Sequence, residues 1–162
     1  MDRTEFLDAL KNSHAGWDAL LAQISPEHMT EPGVEGDWTL KDVIAHITWF
    51  EREMVGVIQA RALVSSELWD LPQDERNAAI LEQNRHRPLD EVLAEAQRVY
   101  PQLVKAIQSL DDQDLHDPAR FVGMPADWLP WKIIAGNSFE HYAAHAADVR
   151  KWLNSRSPAS SL

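Results

Sequence analysis

Apolar residues recur at three- and four-residue steps over four long stretches of the chain, and each stretch predicts a helix with one buried face. From Thr4 to Ile24 the series is Phe6, Leu7, Leu10, Trp17, Leu20, Leu21 and Ile24. Thr39, with Asp42 three residues on, forms a weak capping box that opens a second helix, whose series Leu40, Val43, Ile44, Ile47, Phe50, Met54, Val57 and Ile58 carries it to about Leu63. Pro88 suits the first turn of a third, with Leu89, Val92, Leu93, Ala96, Val99, Leu103, Ile107 and Leu110 on one face. Pro101 removes a backbone hydrogen bond inside that helix, so a kink is expected near Gln97 to Tyr100. Pro130 opens the fourth helix, expected to run to about Leu153.

The segments SPEHMTEPGVEGDW and HDPARFVGMPAD are rich in proline and glycine and read as loops, while QDERNAAILEQNR, bounded by Pro72 and Pro88, reads as a short polar helix between the second and third long ones. Strand-like alternation and phosphate-binding glycine patterns are not evident. The expectation is an all-α, up-down-up-down four-helix bundle with one extra short helix, a single domain over residues 1–154 and a disordered tail over 155–162.

Composition narrows the function. With 162 residues and 44% hydrophobic content the chain can build one core. Acidic residues outnumber basic ones by 26 to 15, a formal charge of -11, so a phosphate backbone is repelled and nucleic acid is not an expected partner. The charged opening MDRTEFLDAL lacks a leader pattern and no apolar run is long enough to span a bilayer, so a cytoplasmic protein with no membrane partner is expected. The absence of cysteine rules out disulfides and thiolate ligands, leaving His, Asp and Glu for any metal.

The stretch NSFEHYAAHAAD then becomes informative. At 100° per residue, a value of about 3.6 residues per turn, Ile134, His141, His145 and Trp152 share a line on the fourth helix, so both imidazoles face inward. Buried polar groups need partners. One reading is a pair of neutral core histidines satisfied by Asp148, Asn137, Tyr142 or water. The other is a metal, since ring nitrogens on side chains one turn apart can converge on one ion. Tyr142 stands where the HExxH pattern has glutamate, so a zincin-type protease is not supported. A third ligand is needed, and His46, on the flank of the second helix's apolar face, is the best placed. Three imidazoles leave a position open for water or substrate, the arrangement of catalytic metal sites. Glu53, Asp148 or Glu140 could orient the rings, and Glu53 or Asp148 could act as general base. His14 falls on the first helix's core face and is expected to be a hydrogen-bonded core residue; His28, His86 and His116 are expected at the surface. Trp38, Trp49, Trp128 and Trp131 are expected mainly to pack.

GDWTLKDVIAHITWFERE, followed by NSFEHYAAHAADVRKWL, resembles the DinB-like superfamily, and NAAILEQNRHRPLDEVLAEAQ with IAGNSFEHYAAH is most similar to its ClbS/DfsB branch. The resemblance covers most of the chain. It implies a four-helix bundle in which His46, His141 and His145 hold a divalent metal, Zn or Ni. It also implies either hydrolysis or transfer of a low-molecular-weight thiol to a small electrophilic molecule, in stress or detoxification, and pairing of two chains as a homodimer. The alternative is a bundle that sequesters a small molecule without turnover. In that case the histidines only donate and accept hydrogen bonds.

Overall fold

The computed structural model describes residues 1–64 and 66–156. Four long helices form the body: α1 (Arg3–Leu21), α2 (Leu40–Ala60), α4 (Leu89–Gln108) and α7 (Phe139–Arg156), with the short helices α3 (Gln73–Asn84), α5 (Asp112–His116) and α6 (Pro130–Gly136) between them. The fold is the expected helical bundle with a short helix between the second and third long ones, plus a two-stranded hairpin, β1 (Pro32–Glu35) and β2 (Trp38–Thr39).

α2 is the central element. Thr39 and Asp42 close a reciprocal capping box at its start, and residues 40–51 are all buried. Periodicity predicts only one apolar face there. The rest of the helix is enclosed because α4, α3, α7 and the loop before β1 all pack on it. Lys41, buried in this helix, donates through Nζ to the carbonyls of Arg85 and Arg87 at 2.7 and 2.9 Å. A cation is favourable at the carbonyl end of a helix, and this one fastens the end of α3 to α2. Phe6, Leu10, Leu103, Ile107 and Val149 join α2's apolar residues in the main core, each worth about 1.5–3 kcal/mol when fully buried.

Several boundaries differ from the sequence expectation. α2 ends at Ala60, because Arg61 turns left-handed (φ 49°, ψ 44°) and Leu63 N–H donates instead to Val122 O at 2.8 Å. The expected fourth helix is two helices. Asn137 and Ser138 return their side chains to the carbonyls of Ile133 and Ile134 at 2.8 and 2.6 Å, and such local bonds compete with helix continuation. α4, by contrast, runs through Pro101 as one helix from Leu89 to Gln108, as the sequence leads one to expect. After it, Asp111 caps the short helix α5 with its own capping box.

The loop before α2 also carries structure. Gly36, at φ 58°, makes the turn of the antiparallel hairpin, a conformation glycine adopts without steric cost. β1 lies against α7. Ser155 and Arg156, assigned to the tail by sequence, belong to α7; Arg156 lies over the Trp152 ring and pairs with Glu31 at 2.5 Å. The remainder of that expected tail, 157–162, lies outside the described residues. No described helix is long and apolar enough to cross a membrane.

Candidate metal centre

α2 and α7 bring His46, His141 and His145 together at the hairpin side of the bundle. His46 is 4% exposed, its ring set edge-on to Trp38 and Phe50 with centroids 5.4 and 4.9 Å away. Nε2 of His141 lies 3.1 Å from Nε2 of His46 and 2.9 Å from Nε2 of His145, and the ligand atoms of the three rings all lie within 4.8 Å of one another.

That arrangement is hard to satisfy with protons alone. An imidazole nitrogen carries one hydrogen or one lone pair, so His141 Nε2 serves one of its two neighbours well and not both. A divalent cation takes three lone pairs at once, and ligands at about 2.0–2.1 Å in a tetrahedral site lie roughly 3.3 Å apart, close to the separations seen. The donor set is neutral nitrogen without sulfur, and imidazole suits Zn, Cu, Fe and Ni alike. The residues fit the ion.

Electrostatics favour the lone-pair form of two of the rings. Burial, reinforced by the neighbouring His145, pushes His46 down to about 3. Burial, then His145 and His46, pushes His141 down to about 2. Both rings are therefore neutral across the ordinary pH range, the state that can bind metal.

The carboxylate that orients the cluster is Glu35. Its Oε1 accepts from His145 Nδ1 at 2.5 Å, which leaves that ring's Nε2 lone pair for the shared point. Sequence reasoning missed it because Glu35 sits in a segment read as loop; Val34 and Trp38 flanking a Gly-Asp pair were the available hairpin signal. Nδ1 of His46 and of His141 is buried without a hydrogen-bond partner among the described residues, so no carboxylate or carbonyl orients those two rings from behind.

The structure does not bring the proposed bases to the imidazoles. Glu53 accepts from Ser66 N–H at 3.1 Å and Trp69 Nε1 at 2.8 Å, tying down the turn before α3. Asp148 and Glu140 are exposed. Asp148 shares α7 with His141 and His145 and lies near their line, but it is exposed there, beyond the cluster. Among the other histidines, His14 stacks on Tyr100 and contacts Asp18 at 3.2 Å, His86 and His116 are exposed, and His28 is half-buried between Glu31 and Arg156. Trp49 packs with Phe50, Trp69 and Ile80 under α3, whereas Trp128 is exposed.

A helical bundle with three imidazoles from two of its helices meeting at one point is the class that fold and site define. Residues 10–150 match the mycothiol maleylpyruvate isomerase N-terminal domain, and the chain belongs to that family, within the DinB-like superfamily. Solved structures share the fold. DfsB, a sibling lethal factor precursor, superposes with TM-score 0.79 at 16% identity, over 98% of this chain and 99% of its own. An uncharacterised protein from Escherichia coli UTI89 gives 0.77 at 18%, over 95% and 94%. The colibactin self-resistance protein ClbS, solved in complex with a dsDNA, gives 0.76 at 14%, over 94% and 96%. The ClbS complex does not fit the expectation, drawn from net charge, that nucleic acid is excluded: charge averaged over a whole chain says little about one face of it. No curated protein is significantly similar to the chain.

Proposed function

We propose that the protein is a metal-dependent enzyme of small-molecule detoxification, with His46, His141 and His145 as ligands of one divalent ion. The observation that carries this reading is the convergence of the three Nε2 atoms, which protons cannot satisfy together. When bound, such an ion supplies a Lewis acid with an open position that lowers the pKa of water or of an external thiol. The chain itself contributes neutral rings held by burial, one of them aligned by Glu35, and a wall made by Trp38 and Phe50. The family's thiol-named member favours a low-molecular-weight thiol as co-substrate, while ClbS, a self-resistance protein, favours a reactive small molecule as the target.

The test is metal content after purification without a nickel column. Close to one ion per chain in the native protein, and loss of it in His141→Ala and His145→Ala, is the expected result. Unchanged, trace metal in all three would sink the proposal and leave the second reading, a bundle that sequesters a small molecule. Incubating the loaded protein with an epoxide, with and without a small thiol, then separates hydrolysis from thiol transfer by whether the product is a vicinal diol or a hydroxy thioether.

A further inference from the structure

A well-formed cavity lies away from the three imidazoles. It holds about 510 Å³ between α1, α2, α4 and α7, within the usual range of small-molecule sites, about 300–1,000 Å³. On α2 its polar floor, Glu51, lies about 140° around the helix from His46 at 100° per residue, and no triad member lines it. The metal reading has no use for it.

Its walls are mostly apolar, among them Trp17, Ile47 and Leu93, and one side is the flat stack of His14 on Tyr100, centroids 3.4 Å apart and 9° from parallel. Glu51 is 2% exposed, yet it lines the cavity and accepts a hydrogen bond from the Tyr142 hydroxyl. Asp18, which also lines it, holds His14 at 3.2 Å. The lining thus carries two carboxyl groups and no lysine or arginine. A buried carboxyl with no countercharge is costly, and aromatic faces attract cations.

We infer that this cavity is a second binding site, for a small molecule with an apolar or aromatic body and one basic nitrogen, which pairs with Glu51 at the floor. Burial, opposed by the Tyr142 hydrogen bond and aided by the charge of Asp18, raises the Glu51 carboxyl to about 7, the behaviour of an acid that lacks the cation. A purely structural Tyr142–Glu51 staple accounts for the hydrogen bond but not for the open volume beside it.

The probes are 2-phenylethylamine and its neutral counterpart 2-phenylethanol, titrated calorimetrically at pH 7.5 into the full chain pretreated with chelator, so that the result is independent of the metal reading. The amine is expected to bind at least ten-fold more tightly than the alcohol. Glu51→Gln should erase that preference, and Ala96→Leu, which fills the cavity from α4, should weaken both ligands. Equal affinities, no binding, or a preference that survives Glu51→Gln would overturn the inference. Should Glu51→Gln fail to fold, contacts from the amine's ring to the Trp17 indole in NMR decide the matter: their presence supports the site and their absence overturns it.

Discussion

The two faces of α2 and α7 show opposite chemistry. On the hairpin side, burial strips protons from His46 and His141 and leaves lone pairs without enough hydrogens between them. On the α1 and α4 side, burial keeps a proton on Glu51 and holds the Tyr142 phenol protonated, with the neighbouring Glu51 adding to the effect of burial. One physical cause, desolvation of the charged form, yields bases on one face and acids on the other because the residue types differ. Adjacent residues divide the two: His141 points to one region and Tyr142 to the other.

The largest expected effect is on the hairpin side. If His141 is a ligand as proposed, His141→Ala should abolish stoichiometric metal while leaving the helical circular dichroism in place, since the substitution removes a polar ring from a polar cluster. Collapse of the fold instead would mean that the ring serves packing, and the contrast between the faces would fail.

On the opposite face, Glu51 makes stability depend on pH. Its carboxyl is raised from an ordinary 4.5 to about 7, so the native state holds the proton more tightly than the unfolded chain does. The stabilisation is fully present below about 4.5 and is lost as the pH rises through about 7, on the order of 3 kcal/mol in all. Denaturant titrations of the metal-free protein between pH 4.5 and 8 should show this fall, and Glu51→Gln should remove it. An identical pH profile for the variant would show that Glu51 ionises normally.

Glu35→Gln sharpens the metal side. A carboxylate behind a ligating histidine is typically worth 10–100-fold in metal affinity, so weakening by about that factor is expected, with no change in amine binding at the other cavity. Affinity unchanged within two-fold would assign Glu35 to the hairpin alone.

The smallest effect tests what the faces share. Thr39→Ala removes the cap of α2, at a cost of about 1 kcal/mol, and should lower stability without shifting either metal stoichiometry or the preference for amine over alcohol. A selective loss of metal would show that the hairpin, joined to α2 at Thr39, holds the histidine cluster more directly than Glu35 does.

Much of this architecture is legible in the residues. The three- and four-residue apolar steps, the Thr39 and Asp42 capping box and the prolines at 72, 88 and 130 specify the bundle, because each acts within one or two turns of chain. The inward pair His141 and His145 follows from helical spacing, and His46 from its place on α2. The break at Asn137 and Ser138 is less visible, since it depends on which carbonyl a short side chain reaches. Glu53 illustrates the limit: it lies on nearly the same side of α2 as His46, yet the turn before α3 claims its carboxylate through Ser66 and Trp69.

The sequence by itself determined the four long helical stretches in outline and singled out the three histidines, because those follow from periodicity and local capping. Only the tertiary structure decided that the three Nε2 atoms meet, that Glu35 rather than Glu53 or Asp148 reaches them, and that Glu51 faces a separate cavity. Each of these depends on distances between elements far apart in the chain: 95 residues separate His46 from His141, and 110 separate Glu35 from His145. No local pattern sets such distances; the packing of helices and hairpin around one core does.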